Sequence, residues 1–306
     1  MTPAAVAVLG AGAVGGMLAA RTGALVVATE RSVAAIRASG LTLVHGDRTT
    51  VSHPRAVERL EEPVSLLVVA VKAYDLDAAL ARVASAALDG AVVLPLMNGL
   101  EHVDALRRQL AASDTVAQAA APPVVAAGSI GRLEALSPAP GVVAQRSAGD
   151  AVVTAASREL DAGALTAVLA PLRVPGIDVL GAGDERAVLW EKAARLAVLA
   201  AATVASGRPV GALREDGVWR PRLDAALREA CAVAAADDVT LDPAAQWAII
   251  EAMAPDLTTS AARDAVAGRP TELDAITGSV VRAGGRLQVP TPALSALLEE
   301  AACRAR

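Results

Sequence analysis

Phenylalanine is absent from this 306-residue chain, and one tyrosine and three tryptophans complete its stock of large aromatic side chains. Without stacking platforms, and with a net charge of −5 in place of a basic footprint, the chain is not expected to bind nucleic acid. Two cysteines, Cys231 and Cys303, stand far apart with no CxxC or other ligand-like spacing, which argues against a disulfide scaffold and a zinc site. The three histidines, His45, His53 and His102, form neither HxxH nor HExxH, so no metal centre is expected. Hydrophobic residues make up 54% of the chain, much of it small Ala and Val, yet no apolar run reaches the roughly 18 to 20 residues of a membrane span. The most apolar stretch, Leu196 to Ala205, is short and follows Glu191, Lys192 and Arg195, as a buried helix would. Met1-Thr2-Pro3 lacks the basic segment and cleavage signature of a secretory peptide, so the expected compartment is the cytoplasm, with no membrane partner.

What is present is a pattern of two domains, which the length favours and which implies a cleft. Over the first 120 residues, short β-branched runs alternate with amphipathic segments: a strand at Ala4 to Leu9, a helix to about Arg21, a strand at Ala24 to Ala28, another helix, a strand at Leu66 to Val71, a helix, a strand at Ala91 to Leu96, and a helix. Such alternation predicts βαβ units and a parallel sheet. Between Ala119 and Gly149 the Pro- and Gly-rich composition suits loops and edge strands, followed by a helix near Ala156 to Leu172. From about Asp184 long helical patterns take over, punctuated by Pro209, Pro221, Pro243 and Pro255 as helix starts or breaks. The expected fold class is α/β, a Rossmann-type doubly wound parallel sheet over residues 1–182 followed by an all-α domain over 183–306.

Gly10-Ala11-Gly12-Ala13-Val14-Gly15 follows the first predicted strand and opens a helix, the context in which GxGxxG reads as a dinucleotide loop. The first glycine permits the tight turn, the second lets the backbone approach the pyrophosphate, and the third allows close helix–strand packing; the helix dipole favours the anion. Glu30 and Arg31 follow the second strand and pull the cofactor in opposite directions. A carboxylate there accepts the ribose 2′-OH of NAD, whereas a guanidinium pairs with the 2′-phosphate of NADP. Spacing alone leaves the choice open.

Val71-Lys72-Ala73, Asn98-Gly99-Leu100, Leu189-Trp190-Glu191-Lys192, Thr271-Glu272-Leu273-Asp274 and Val289-Pro290-Thr291-Pro292, in this order after the glycine loop, give the chain a resemblance to the ketopantoate reductase (2-dehydropantoate 2-reductase) family over nearly its whole length. The resemblance implies NADPH-dependent reduction of a 2-oxo acid to D-pantoate or a related 2-hydroxy acid, within pantothenate biosynthesis. It implies Arg31 at the 2′-phosphate of NADP(H), and Lys72 and Asn98 beside the nicotinamide end, with Asn98 also near the substrate. Lys192 resembles the family's proton donor. Ketone reduction leaves negative charge on oxygen, so a nearby ammonium stabilises and protonates it, at about 10² to 10⁴ in rate for general acid catalysis. Burial in an Ala-rich helix is expected to lower the pKa of that lysine. Glu272 and Ser260 match family positions twelve residues apart; the first is implied to hold the lysine or the nicotinamide ribose, the second to bind substrate or to cap a helix.

The chain departs from the family where asparagines usually contact the polar end of the substrate: Leu196 and Ala200 stand one and two turns after the lysine, and Leu257 three residues before the serine. At about 0.5 to 1.5 kcal/mol per hydrogen bond, their joint loss disfavours a hydroxylated 2-oxo acid and predicts a less polar substrate. Arg195 reads either as a replacement carboxylate anchor or as a helix-surface residue. Two other readings are another dehydrogenase acting on a sugar acid or an opine-like imine, and a non-catalytic dinucleotide-binding sensor. A homodimer through the helical domain is compatible with the sequence.

Overall fold

The computed structural model describes residues 6–112 and 121–305, which fall into two compact units. One comprises residues 1–97 and 102–188, the other residues 98–101 and 189–306.

The first unit is built on β1 (Val6–Leu9), α1 (Ala13–Thr22), β2 (Leu25–Val27) and α2 (Glu30–Ser39), then β3 (Leu41–His45), β4 (Arg48–Ser52), β5 (Ala56–Val57) and β6 (Leu66–Val69). After α3 (Leu76–Leu80), β7 (Val92–Pro95), α4 (His102–Ala111) and β8 (Val124–Val125), the main sheet is complete in the order β5-β2-β1-β6-β7-β8, parallel throughout. The chain order reverses between β1 and β6, the switch point beside which open α/β sheets bind ligands. Val8, Val68 and Leu94 in register on one face, and Ala7, Leu67 and Val93 in register on the other, are all fully buried, so these strands run apolar on both faces, as a sheet covered on both sides requires. Of the first expected strand, Ala4 and Ala5 lie outside the described residues, as do Ala119 and Ala120 of the Pro- and Gly-rich stretch.

Two features differ from the expected pattern. The passage from α2 to Leu66 is not a helix followed by a connection. The helix stops at Gly40, whose φ of 76° breaks it, and a hairpin of β3 and β4 turns through Gly46-Asp47. Through β3 that hairpin pairs with β11 (Val142–Gln145), itself paired with β10 (Ala135–Ala139), in a second sheet, β10-β11-β3-β4. The helix expected from Ala156 instead begins at Ala162. Ala156 ends β12 (Ala151–Ala156), which lies between β9 (Ala127–Gly131) and β13 (Ile177–Gly181), and Asp161 caps α5 (Ala162–Leu169) by accepting from the Ala164 amide at 2.8 Å.

The second unit is helical, with no strand among its described residues. Its long helix α6 (Glu185–Ser206) starts in the first unit, where the Asp184 carboxylate accepts from the amides of Arg186 and Ala187 at 2.7 and 3.0 Å. Trp190 is fully buried and donates its indole N–H to Asp237 at 2.7 Å, which fixes the rotation of α6 against α8 (Trp219–Ala236). Between them comes α7 (Val210–Arg214); α9 (Pro243–Glu251), α10 (Ser260–Val266), a π-turn at Asp274–Gly278, α11 (Ser279–Leu287) and α12 (Pro292–Arg304) follow. In the Val289-Pro290-Thr291-Pro292 motif, Pro292 opens α12, and the Glu229 carboxylate accepts the next two amides, both at 2.9 Å. No described helix is long and apolar enough to cross a membrane.

Candidate functional site

The glycine loop joins the carboxyl end of β1 to α1. Gly10 has φ +105°, and a Cβ there would lie 2.6 Å from the Ala70 carbonyl; a Cβ on Gly15 would lie 1.9 Å from the Gly10 carbonyl. These two glycines are dictated by the protein itself, the first by turn geometry and strand contact, the last by helix packing against the loop. Gly12 is different: its φ is −76° and a Cβ would meet no atom within 4 Å. Nothing in the protein demands glycine at this point, where the loop enters the N-terminus of a ten-residue helix, and the open space there would admit a close-fitting anionic ligand. The loop therefore fits a dinucleotide pyrophosphate.

Arg31 is exposed at the second position of α2, and Glu30 beside it is also exposed. Lys72 follows β6 and precedes a 3₁₀ turn at Ala73–Asp75, where its carbonyl accepts from the Asp75 amide at 2.9 Å. These residues and the glycine loop all belong to the first unit.

The other four predicted residues, Asn98, Lys192, Ser260 and Glu272, belong to the second. Asn98 follows β7 but groups with the helices, because Gly99, at φ +93°, lies so close to the π-turn that a Cβ would come within 2.0 Å of the Ala275 carbonyl. Lys192 is half-buried on α6, and Glu272 is buried at 3% exposure just before the π-turn. Burial pushes the Lys192 ammonium down to about 8; the Glu272 carboxylate opposes that shift and the Arg195 guanidinium adds to it. Lys192 and Glu272 are thus brought together, and the lysine can hold a proton at neutral pH and release it readily.

Ser260 does not cap α10. Thr259 does, accepting from the Ala262 amide at 3.2 Å, and Ser260 is the first helical residue. Arg195 is engaged by the side-chain oxygen of buried Gln246 on α9. Of the three positions where asparagines are missing, Ala200 is fully buried, while Leu196 and Leu257 are half-buried. Further along the same helix, the Thr203 hydroxyl is committed to Thr259 at 2.7 Å and to the Leu199 carbonyl at 2.7 Å. Of the two positions after Lys192 on this face, Leu196 is thus the accessible one, and it is apolar.

Residue counts carry a signal that motif comparison passes over. Of 28 basic residues only Lys72 and Lys192 are lysine, and Asn98 is the sole asparagine. The chain uses arginine wherever a positive charge suffices. Arginine holds its proton too tightly to serve as an acid, so lysine at position 192 has a chemical reason.

Residues 6–157 match the family model described as ketopantoate reductase PanE/ApbA, and residues 184–303 match the one described as ketopantoate reductase PanE/ApbA C terminal. A 2-dehydropantoate 2-reductase of Halobacterium salinarum is 28% identical over 293 residues, 94% of this chain and 92% of that protein. The crystal structure of a PanE/ApbA family ketopantoate reductase from Ralstonia eutropha JMP134 is 27% identical, covers 98% of both chains and superposes with a TM-score of 0.79. The ternary structure of D-mandelate dehydrogenase with NADH and anilino(oxo)acetate shares the fold at 20% identity and a TM-score of 0.82, again over 98% of each chain.

Proposed function

The chain belongs to the ketopantoate reductase family of oxidoreductases, and from that premise we propose that it reduces a 2-oxo acid with NADPH: 2-dehydropantoate to D-pantoate, or a close analogue with a less polar side chain. The observation that carries the reading is the pairing of Lys192 with buried Glu272 in a chain whose one other lysine is Lys72. Residues 1–182 serve as the NADP-binding domain and residues 183–306 as the catalytic one, acting in the cytoplasm on a small-molecule acid.

NADPH, when bound, supplies the hydride that the carbonyl carbon accepts. The amides around Gly10, Gly12 and Gly15 hold the pyrophosphate, Arg31 pairs with the 2′-phosphate, and Lys72 and Asn98 orient the nicotinamide end. Lys192 donates its proton to the carbonyl oxygen as negative charge develops there, and Glu272 keeps that lysine charged until the proton leaves. Ser260 donates a hydrogen bond to the substrate. The apolar run from Leu196 through Ala200 favours a hydrocarbon side chain beyond the 2-oxo group, since it presents no side-chain donor to a hydroxyl.

The test follows absorbance of NADPH, and separately of NADH, with a panel of 2-oxo acids that includes 2-dehydropantoate, for the wild type and Lys192→Ala. Rapid oxidation of NADPH that disappears in the variant is the expected result. Preference for NADH would move the cofactor assignment from Arg31 to Glu30, and binding without turnover across the panel would exclude the reductase reading.

A further inference from the structure

We propose that Arg282 is a positioning residue that fixes Asn98 relative to Glu272, through a charged clamp on the segment that carries the asparagine. This rests on the reading that Asn98 contacts the cofactor. The segment 98–101 is bound to the second unit at two points. At the first, Gly99 lies directly against the π-turn, where only glycine fits. At the second, the Glu101 carboxylate is gripped by the Arg282 fork, at 3.1 Å from Nε to Oε1 and 2.8 Å from Nη2 to Oε2, and by Arg286 at 3.3 Å.

The same Arg282 guanidinium turns its remaining donors on the π-turn itself, 2.7 Å to the Asp274 carboxylate and 3.1 Å to the Asp274 carbonyl. Gly278 leaves the room this needs: a Cβ there would lie 3.0 Å from both the arginine and the aspartate oxygen. Asp274 stands two residues after Glu272, whose carbonyl accepts the Ile276 amide at 2.9 Å and so begins the turn. One side chain thus ties the segment holding Asn98, three residues before Glu101, to the backbone holding Glu272. A π-turn inserted among α-helices often marks a functional site, and here it presents both the Asp274 carbonyl and the surface on which Gly99 rests.

The pairing is poorly placed to stabilise the fold. Arg282 and Glu101 are 41% and 38% exposed, and ion pairs so accessible to water contribute little to stability. A five-donor fork that meets four acceptor atoms on two segments fixes direction, which a lysine ammonium does not.

The experiment is a double-mutant cycle between Arg282→Ala and Asn98→Ala, read as the dissociation constant for NADPH by its fluorescence and as kcat/KM, with Tm as a control. The expected result is that each single variant weakens NADPH binding by about tenfold or more at nearly unchanged Tm, and that the double variant is no worse than Asn98→Ala, as coupled residues require. Arg282→Lys should recover only part of the loss, and it serves as the milder variant should the alanine protein be unstable. Additive losses, full recovery by lysine, or unaltered binding in the single variant would overturn the proposal. Because NADPH binding needs no substrate, an enzyme inactive on every 2-oxo acid would count against the proposed reaction and leave this test in force.

Discussion

In the proposed reaction, Lys192 concentrates the chemistry in one titration. Its ammonium is pushed down to about 8 by burial, while Glu272 holds it up. A general acid must carry its proton, so reduction should proceed at full rate below pH 8 and fall as pH rises through that value, by about tenfold per unit once the lysine is mostly neutral. Glu272→Gln removes the charge that favours the protonated form; the falling limb of the pH–rate profile should move to lower pH. A limb that stayed in place would show that the carboxylate does not act on the lysine. Lys192→Arg preserves charge but not acidity, and kcat should drop by about 10² to 10⁴ with NADPH binding retained, measured by single-turnover kinetics and titration. The burial of this lysine was legible from the alanine-rich stretch around it. Its partner was not, because residues 192 and 272 lie eighty positions apart and no period relates them; only the family resemblance linked the two.

Among the elements, the glycine loop separates what the fold requires from what a ligand requires. Gly15→Ala places a methyl group 1.9 Å from a backbone oxygen, so α1 or the loop must shift, and the protein should lose about 1 to 3 kcal/mol of stability, read as a lower denaturation midpoint. Gly12→Ala meets no protein atom. Its midpoint should stay close to wild type while the dissociation constant for NADPH rises; an unchanged constant would remove the loop from the cofactor site. This loop was readable because its strand, turn and helix follow one another within about twenty residues. The hairpin of β3 and β4 escaped because its outer strand, Arg48–Ser52, is polar and largely exposed, with none of the apolar alternation that marks a half-buried strand. Its turn residues Gly46-Asp47 and the buried Leu41 and Leu43 of its inner strand were its local signs. Ala151–Ala156 pairs on both sides within a sheet, and its alanines gave no contrast with the helix that follows five residues later.

At the level of the whole molecule, one compositional habit bears on the proposed cofactor and substrate recognition alike. A chain with a single asparagine and two lysines has almost no flexible ammonium, yet carries all three residues at positions that the family resemblance assigns to the nicotinamide end and the proton donor. Leu196 and Ala200 stand on the lysine-bearing helix, so the proposed reaction chemistry is paired with a proposed substrate of lower polarity. The wild type should accordingly prefer a 2-oxo acid with a branched hydrocarbon side chain over 2-dehydropantoate in kcat/KM. The two positions are not equivalent for restoring the donor. Ala200 is fully buried, and asparagine there would overpack α6, whereas Leu196 is half-buried and leaves space for the smaller, similarly branched amide. Leu196→Asn should therefore shift the kcat/KM ratio toward 2-dehydropantoate by about 2- to 12-fold, the range that one hydrogen bond of 0.5 to 1.5 kcal/mol allows. The apolar substrate should lose rate in the same variant, because the amide would then face hydrocarbon without a partner. If both substrates respond alike, residue 196 does not meet the substrate side chain, and specificity must be sought at Leu257 and Ser260.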